Sequence, residues 1–445
     1  MINIKLHISA ILAALAVPLA ARGQETGLWD LRGCIEHAVG NNLTVRSREL
    51  NREQGELDLN TAKASRLPDL SAGAGQNFSF GRGLSESNTY VNTNTSSTSL
   101  TLGSSINVFN GMRVNKTIKL NALNLEAATA DLEKAKDDIR VQVTQLYVQI
   151  LYNQEIVKVA ERQVSIDSVQ VDRLRAMFEN GKASAAEVAQ QEASLGQSRL
   201  ALTQARNTLA LSLLDLSQLL ELPSPQGFGI VTPDADYDVS LPLCGPEEIY
   251  AEAVGCRPAV KAEQFRLDAA DMNIGIAKSA FYPSLTLNGG IGSNAYKSSG
   301  YDAARFWDQF KNNFSQYVGL SLNIPIFAKL ATRNSVRGAR LSRSLQLVQL
   351  ESVKKSLYKE IQQAWYNAVA AESKLASCKD ALTSAEKSFE LVSAKFESGK
   401  TTATEFGESR NSLMKAQSDL VQARYEHIFQ VKLLDFYRGS DLTLQ

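Results

Sequence analysis

Residues 396–408 read FESGKTTATEFGE, and 218 positions upstream residues 178–190 read FENGKASAAEVAQ. The pairs Phe178/Phe396, Glu179/Glu397, Gly181/Gly399, Lys182/Lys400, Ala185/Ala403 and Glu187/Glu405 are identical. In each copy the glycine closes one long helical pattern and a new one opens a few residues later, so each reads as the bend of a helical hairpin. A recurrence at this spacing in a chain of 445 residues predicts two repeats of one architecture rather than unrelated domains.

Upstream of the first bend, Val143, Ile150, Val157, Val164, Val171 and Phe178 recur every seven residues. Upstream of the second, Ile361, Ala368, Leu375, Leu382, Phe389 and Phe396 do so in the same phase. This is the narrow seam of a coiled coil. At 1.5 Å per residue each helix would be a rod of roughly 100 Å. No globular core needs a rod of that length.

Working outward, the period changes from helical to alternating at four places. Ala72, Ala74, Phe78 and Phe80 alternate with Ser71, Gly73, Gly75, Asn77 and Ser79, and Leu100, Leu102, Ile106 and Val108 with Ser99, Thr101, Gly103, Ser105 and Asn107. In the second half Leu285, Leu287, Gly289 and Ile291 share one face, as do Val318, Leu320, Leu322, Ile324 and Ile326. Each run has one greasy and one wet side.

The expected organisation is a leader over 1–23, a first repeat over 24–221, a Pro-rich connector over 222–247 and a second repeat over 248–445. The first repeat would hold a helix over 28–66, strands over 70–80 and 98–109, and a helical hairpin over 112–220 bending near 181. The second would hold a helix over 248–280, strands over 284–292 and 316–326, and a hairpin over 329–438 bending near 399. The loop between the last two strands carries Tyr301, Phe306, Trp307 and Phe310, read either as part of an interfacial aromatic girdle or as a loop folded on itself.

The N-terminus places Lys5 before the apolar run Ile8–Ala21 and then Ala21-Arg22-Gly23, which reads as a cleavable export signal with the mature chain starting near Gln24. A retained signal anchor is the alternative. Leu31-Arg32-Gly33-Cys34 lies too far beyond the apolar run for lipid attachment. No later stretch is apolar for the ~18–20 residues of a transmembrane helix, so spanning a membrane would fall to strands. Basic and acidic residues balance at 47 each, which does not favour nucleic acid. The cysteines Cys34, Cys244, Cys256 and Cys378 match no zinc spacing. An exported chain could oxidise Cys244 with Cys256 or leave all four as thiols. No catalytic constellation, metal site or cofactor is expected: His37 and His427 fall on helical patterns, and Gly289-Gly290-Ile291-Gly292 lacks the lysine of a phosphate loop.

Strands of about 10 residues suit an outer membrane crossing. Four cannot close a barrel, and an open edge is not tolerated in lipid, so closure needs other copies of the chain. Three would give 12 strands, as an estimate from the same rule.

The export signal, the tandem order of helix, strand, strand, long helix, bend and return helix, and the Phe-x-x-Gly-x-x-x-x-x-Glu bends together resemble TolC-type outer membrane efflux channels over essentially the whole mature chain. The resemblance implies a fold of mixed helix and strand. A homotrimeric β-barrel in the outer membrane of a diderm bacterium, touching its lipid, would be continuous with a coiled-coil tunnel across the periplasm. It also implies passive export from an inner-membrane transporter of RND or ABC type through a periplasmic adaptor. Cargo would be small toxic compounds or secreted proteins. Glu405 and Glu408 match the acidic positions that constrict the tunnel entrance in that family. Gly181, Lys182, Gly399 and Lys400 fall where the adaptor would touch.

A plain helix-capping role competes at several of these residues. Thr402-Ala403-Thr404-Glu405 and Ser184-Ala185-Ala186-Glu187 both have the form of a capping box, which by itself explains Ser184, Thr402, Glu187 and Glu405. Glu408 is needed by no cap, and its first-repeat counterpart is Gln190. Phe396 and Thr401 stand where the family has a tyrosine and an arginine, so its polar latches cannot form here in the same way. A periplasmic coiled-coil adaptor or an adhesin would explain the heptads but not four alternating strands.

Overall fold

A computed structural model describes residues 28–84, 88–224, 226–232, 244–299 and 303–442. The expected leader, residues 233–243 of the connector and Tyr301 lie outside the described residues. In chain order the elements are β1 (Leu28–Trp29), α1 (Leu31–Asn41), α2 (Leu43–Ala64), β2 (Ser71–Leu84), β3 (Tyr90–Asn110), α3 (Arg113–Glu179) and α4 (Ala185–Leu219). Then follow β4 (Gly229–Ile230), α5 (Pro246–Cys256), α6 (Pro258–Ser279), β5 (Ser284–Ser298), α7 (Phe306–Asn312), β6 (Ser315–Asn323), α8 (Ala331–Glu397) and α9 (Ala403–Arg438). Contacts divide the described chain into two units, one holding residues 28–37 and 146–232, the other residues 38–145 and 244–442.

Both long helices have 67 residues, and both begin after two consecutive left-handed residues: Gly111 and Met112 before α3, Lys329 and Leu330 before α8. The two junctions lie 218 positions apart, the same spacing as the bends. At Gly111 a side chain would also collide with the Ser279 carbonyl, 2.7 Å from where a Cβ would sit.

Two helices expected to be continuous are broken. Over 28–66, Asn42 leaves the helix with φ −64° and ψ 132°, and its side chain accepts from the Thr44 amide at 2.9 Å, which starts α2 afresh. Over 248–280, Pro258 forces Arg257 into extended geometry, ending α5 and opening α6. The connector is not wholly irregular either. Its β4 pairs in parallel with β1, and α5 starts inside its expected span, at Pro246.

In the first unit the β1·β4 ribbon is held by Tyr147 of α3. This side chain is 2% exposed and its hydroxyl donates to the Val231 carbonyl at 2.7 Å. In the second unit the hydrophobic core joins α5 and α6 to the first half of α8 and the end of α9 through Ile249, Val260, Leu357, Ile361, Ala368 and Leu434. Arg257 lies against that core, bonded to Asp137 at 3.2 Å and stacked 4.1 Å over the Phe436 ring. Burial raises the Asp137 carboxyl pKa despite Arg140 and Arg257 beside it.

Of the two readings of the cysteines, the structure has the unpaired one: Cys34, Cys244, Cys256 and Cys378 are all free thiols. The 11-residue α5 begins two residues after Cys244 and ends on Cys256. At helical rise it spans about 15 Å, far beyond the roughly 7 Å limit between bridged Cα atoms.

The second unit also holds one antiparallel sheet in the order β2-β3-β5-β6. Its register brings the four alternating runs onto one face. Ala72 pairs with Leu102 and Ala74 with Leu100. Leu102 pairs with Ile291 and Ile106 with Leu287, and Leu287 pairs in turn with Leu320 and Leu285 with Leu322. The opposite face carries the small and polar set. A bulge between Asn107 and Phe109 shifts the parity, so Phe109 and not the expected Val108 lies opposite Leu285. The strands run past their expected ends, with β2 reaching Leu84, β3 starting at Tyr90 and β5 reaching Ser298, whereas β6 stops at Asn323. Residues 81–84 and 90–97, which lie between the expected strands, belong to β2 and β3. The β2·β3 hairpin continues beyond the apolar layer through pairs such as Phe80↔Asn94 and Arg82↔Asn92.

Candidate functional site

The first bend is built from backbone geometry. Gly181 takes φ 72°, its amide donates to Phe178 O at 2.8 Å, and the Lys182 amide donates to Met177 O at 2.8 Å. This is a Schellman closure, which needs a left-handed residue after the helix and so favours glycine. Three residues on, Ser184 caps α4 reciprocally. The Glu187 amide donates to Ser184 Oγ at 3.2 Å, and the Glu187 carboxylate accepts from the Ser184 amide at 2.7 Å. Those bonds to the backbone and hydroxyl of Ser184 lower the Glu187 pKa. Gly181, Lys182, Ser184 and Glu187 are all exposed.

The second bend repeats the closure: Gly399 has φ 70°, its amide donates to Phe396 O at 3.1 Å, and the Lys400 amide donates to Lys395 O at 2.8 Å. The cap is different. Thr402 Oγ1 accepts from the Glu405 amide at 3.2 Å, but the Glu405 carboxylate accepts from the Thr401 hydroxyl instead of completing the expected box. Thr401 therefore has a local partner in the very carboxylate read as a gate. Glu405 and Glu408 are exposed, and among the described residues Glu408 engages no partner. Lys400 is likewise exposed.

Beneath the second bend sits an aromatic cluster of which the seven-residue seam supplies only part. Phe406 is 2% exposed, stacks on Phe396 with centroids 4.7 Å apart, and meets Phe389 at 5.6 Å. Phe389 and Phe396 were legible as seam residues. Phe406 was not, because it stands in the return helix, whose sequence shows no clean seam. At the first bend the corresponding places hold Val171, Phe178 and Val188, and Phe178 is 49% exposed. The first hairpin instead carries a buried polar node. Asp167, fully buried in α3, accepts from Gln163 at 3.1 Å on its own helix, and from Gln191 at 3.4 Å and the Ser198 hydroxyl on α4.

The sheet supplies the other functional surface. Its apolar side is uncovered, with Phe80 76% and Val318 83% exposed. Among the described residues β2 and β6 each pair on one side only. No described helix is long and apolar enough to cross a membrane, and no described group of histidine, cysteine and carboxylate residues could hold a metal ion.

An uncovered apolar sheet face in a chain that also carries two long helical hairpins has the form of a membrane protein, and comparison with known proteins identifies the family. The chain belongs to the outer membrane efflux protein family, whose family model matches residues 34–221 and 249–435. It is similar to the outer membrane efflux protein BepC of Brucella suis biovar 1, 23% identical over 407 residues covering 91% of this chain and 84% of the relative. It is similar also to the outer membrane protein TolC of Escherichia coli K12, 22% identical over 402 residues, 90% of this chain and 80% of the relative. The crystal structure of the outer membrane protein VceC of Vibrio cholerae matches with a TM-score of 0.77 at 19% identity, over 93% of this chain and 96% of that one. The protein is thus an outer membrane efflux channel component, located in the outer membrane.

Proposed function

We propose that three copies of this chain form a passive exit duct. Their sheets close edge to edge, β6 of one copy against β2 of the next, into a 12-stranded barrel with its apolar face in lipid, a strand number that follows from barrel closure. The long helical hairpins continue it as a periplasmic tunnel. The observation that carries this reading is the register that gathers the apolar residues of four strands onto one uncovered face while leaving both sheet edges free for pairing. The equal lengths of α3 and α8 and the matching junctions before them support two tandem copies of one unit.

The bends are the end that meets a periplasmic adaptor, through the exposed backbone and ammonium groups at Gly181, Lys182, Gly399 and Lys400. Behind the adaptor stands an inner-membrane transporter of RND or ABC type that supplies the energy. Glu405 and Glu408 constrict the entrance as rings of carboxylates that attract cations. Outward movement of the bends separates these rings and opens the path.

Reconstitution of the purified protein in planar bilayers tests the duct. The expected result is a cation-preferring conductance in discrete steps. A well-folded protein that inserts and conducts nothing, even after both gate carboxylates are replaced by glutamine, contradicts it.

A further inference from the structure

The apolar face of the sheet is not flat. Two adjoining depressions run along the strands. One of about 410 Å³ is lined by Ala72, Ala74, Ser293, Phe310 and Phe314, and one of about 570 Å³ by Leu70, Ser104, Gly289 and Val318. Leu102 and Ile291 line both, so together they form one trough. Small side chains make its floor, and the two phenylalanines wall its far end. From Ser104 to Leu100 the trough follows the strand for roughly 13 Å, the reach of much of an acyl chain.

The walled end is fixed in place and changes chemistry. Helix α7 lies along the half of β5 that β6 does not cover. The Ser293 hydroxyl donates to Phe310 O at 2.6 Å, the Tyr296 amide to Gln309 Oε1 at 2.8 Å, and Asn313 Nδ2 to Asn294 O at 2.7 Å. Beside Phe310 stands Lys311. Arg305 occupies the N-cap position of the helix, and Lys297 lies four residues beyond Ser293 on β5. All three cations are exposed, and none pairs with a described carboxylate, although Asp308 shares their helix. The trough itself is apolar, and the two elements that form its walled end, β5 and α7, carry Lys297, Arg305 and Lys311, so trough and flanking elements together have the polarity of an amphiphile with an anionic head.

We propose that this trough binds a phosphorylated, multiply acylated glycolipid of the outer leaflet. One acyl chain lies between Leu102 and Ile291 under Phe310 and Phe314, and a phosphate meets Lys297, Arg305 and Lys311. A neutral hydrocarbon would leave the cations unused, and a soluble anion would leave the trough empty. The inference rests on the reading above that the apolar face meets lipid and that the strand turns point outward.

The full chain, purified in detergent, is equilibrated with bis-phosphorylated lipid A, with its dephosphorylated form and with phosphatidylethanolamine, and retained lipid is counted by native mass spectrometry after washing. Phosphorylated lipid A should be retained roughly tenfold or more over phosphatidylethanolamine, because each basic side chain at an anionic surface contributes severalfold. The triple variant Lys297→Gln, Arg305→Gln, Lys311→Gln, altered only at exposed positions, should fall to the dephosphorylated level. Ser293→Phe, which fills the trough, should lower retention of both lipid A forms. Equal retention of all three lipids, or a triple variant that holds phosphorylated lipid A as well as the natural chain, overturns the site. Conductance of the same preparations is read separately: a conducting protein without lipid preference loses the lipid site and keeps the duct, and a lipid-selective protein that never conducts loses the duct.

Discussion

Glu405 and Glu408 lie three residues apart on one helical turn, yet their surroundings differ. Glu405 is drawn back onto its own turn by the Thr401 hydroxyl and the Thr402 cap, while Glu408 is exposed and engages no partner among the described residues. Glu408→Gln should therefore reduce cation selectivity in planar bilayers more than Glu405→Gln does. Equal effects would mean that Thr401 releases Glu405 in the assembled channel, and no effect from either would remove both from the gate. The first bend offers a pH test. The Glu187 pKa is lowered in the fold, so its contribution is present above the ordinary glutamate value of about 4.3 and is lost as pH falls through its own, lower value. Amide exchange at Ser184, corrected for intrinsic rates, should accelerate on acidification through that window. Glu187→Gln should flatten the dependence. Ser184→Ala should cost about 1 kcal/mol of local helix stability.

At the scale of elements, the two hairpins are fastened by different means. The second depends on Phe406 packed against Phe389 and Phe396, and Phe406→Ala should cost about 3–5 kcal/mol by cavity formation. The first depends on Asp167 bridging α3 to α4. Asp167→Ala should cost about 1–3 kcal/mol by leaving Gln191 and Ser198 without their shared acceptor. Limited proteolysis at each bend reads both effects: Phe406→Ala should expose residues near Gly399 and spare Gly181, and Asp167→Ala should do the reverse.

The same contrast explains what was legible beforehand. A bend closed by glycine, a seven-residue repeat and an alternating strand are local patterns, and they placed both long helices to within about two residues, inside the ordinary scatter of helix ends. The outer half of β3 was missed because Tyr90–Ser97 lacks the apolar alternation, having left the apolar layer while still pairing with β2. The bulge that swaps Phe109 for Val108 depends on the register with β5, the β1·β4 ribbon on Tyr147 far along the chain, and the α7 anchor on bonds to Ser293, Asn294 and Tyr296 of β5. None of these is a local signal. The sequence left Cys244 and Cys256 either paired or free, and the length of α5 between them decides for free thiols.

At the scale of the whole molecule, the uncovered apolar face suits lipid, but the two edge strands, paired on one side only among the described residues, are unstable alone there, because each unpaired backbone group costs several kcal/mol. The proposed closure with other copies would remove both edges at once. It also accounts for the small side chains on the opposite face, among them Gly73, Gly75, Gly103, Gly292 and Gly319, which would leave a lumen open.

The most direct measurement is a map by electron cryomicroscopy of the full chain extracted from outer membrane into detergent or nanodiscs. It should show three copies about a single axis, with β6 of each hydrogen-bonded to β2 of the next in one continuous barrel. A monomer, a different copy number, or a sheet whose β2 and β6 edges remain unpaired would contradict the exit duct.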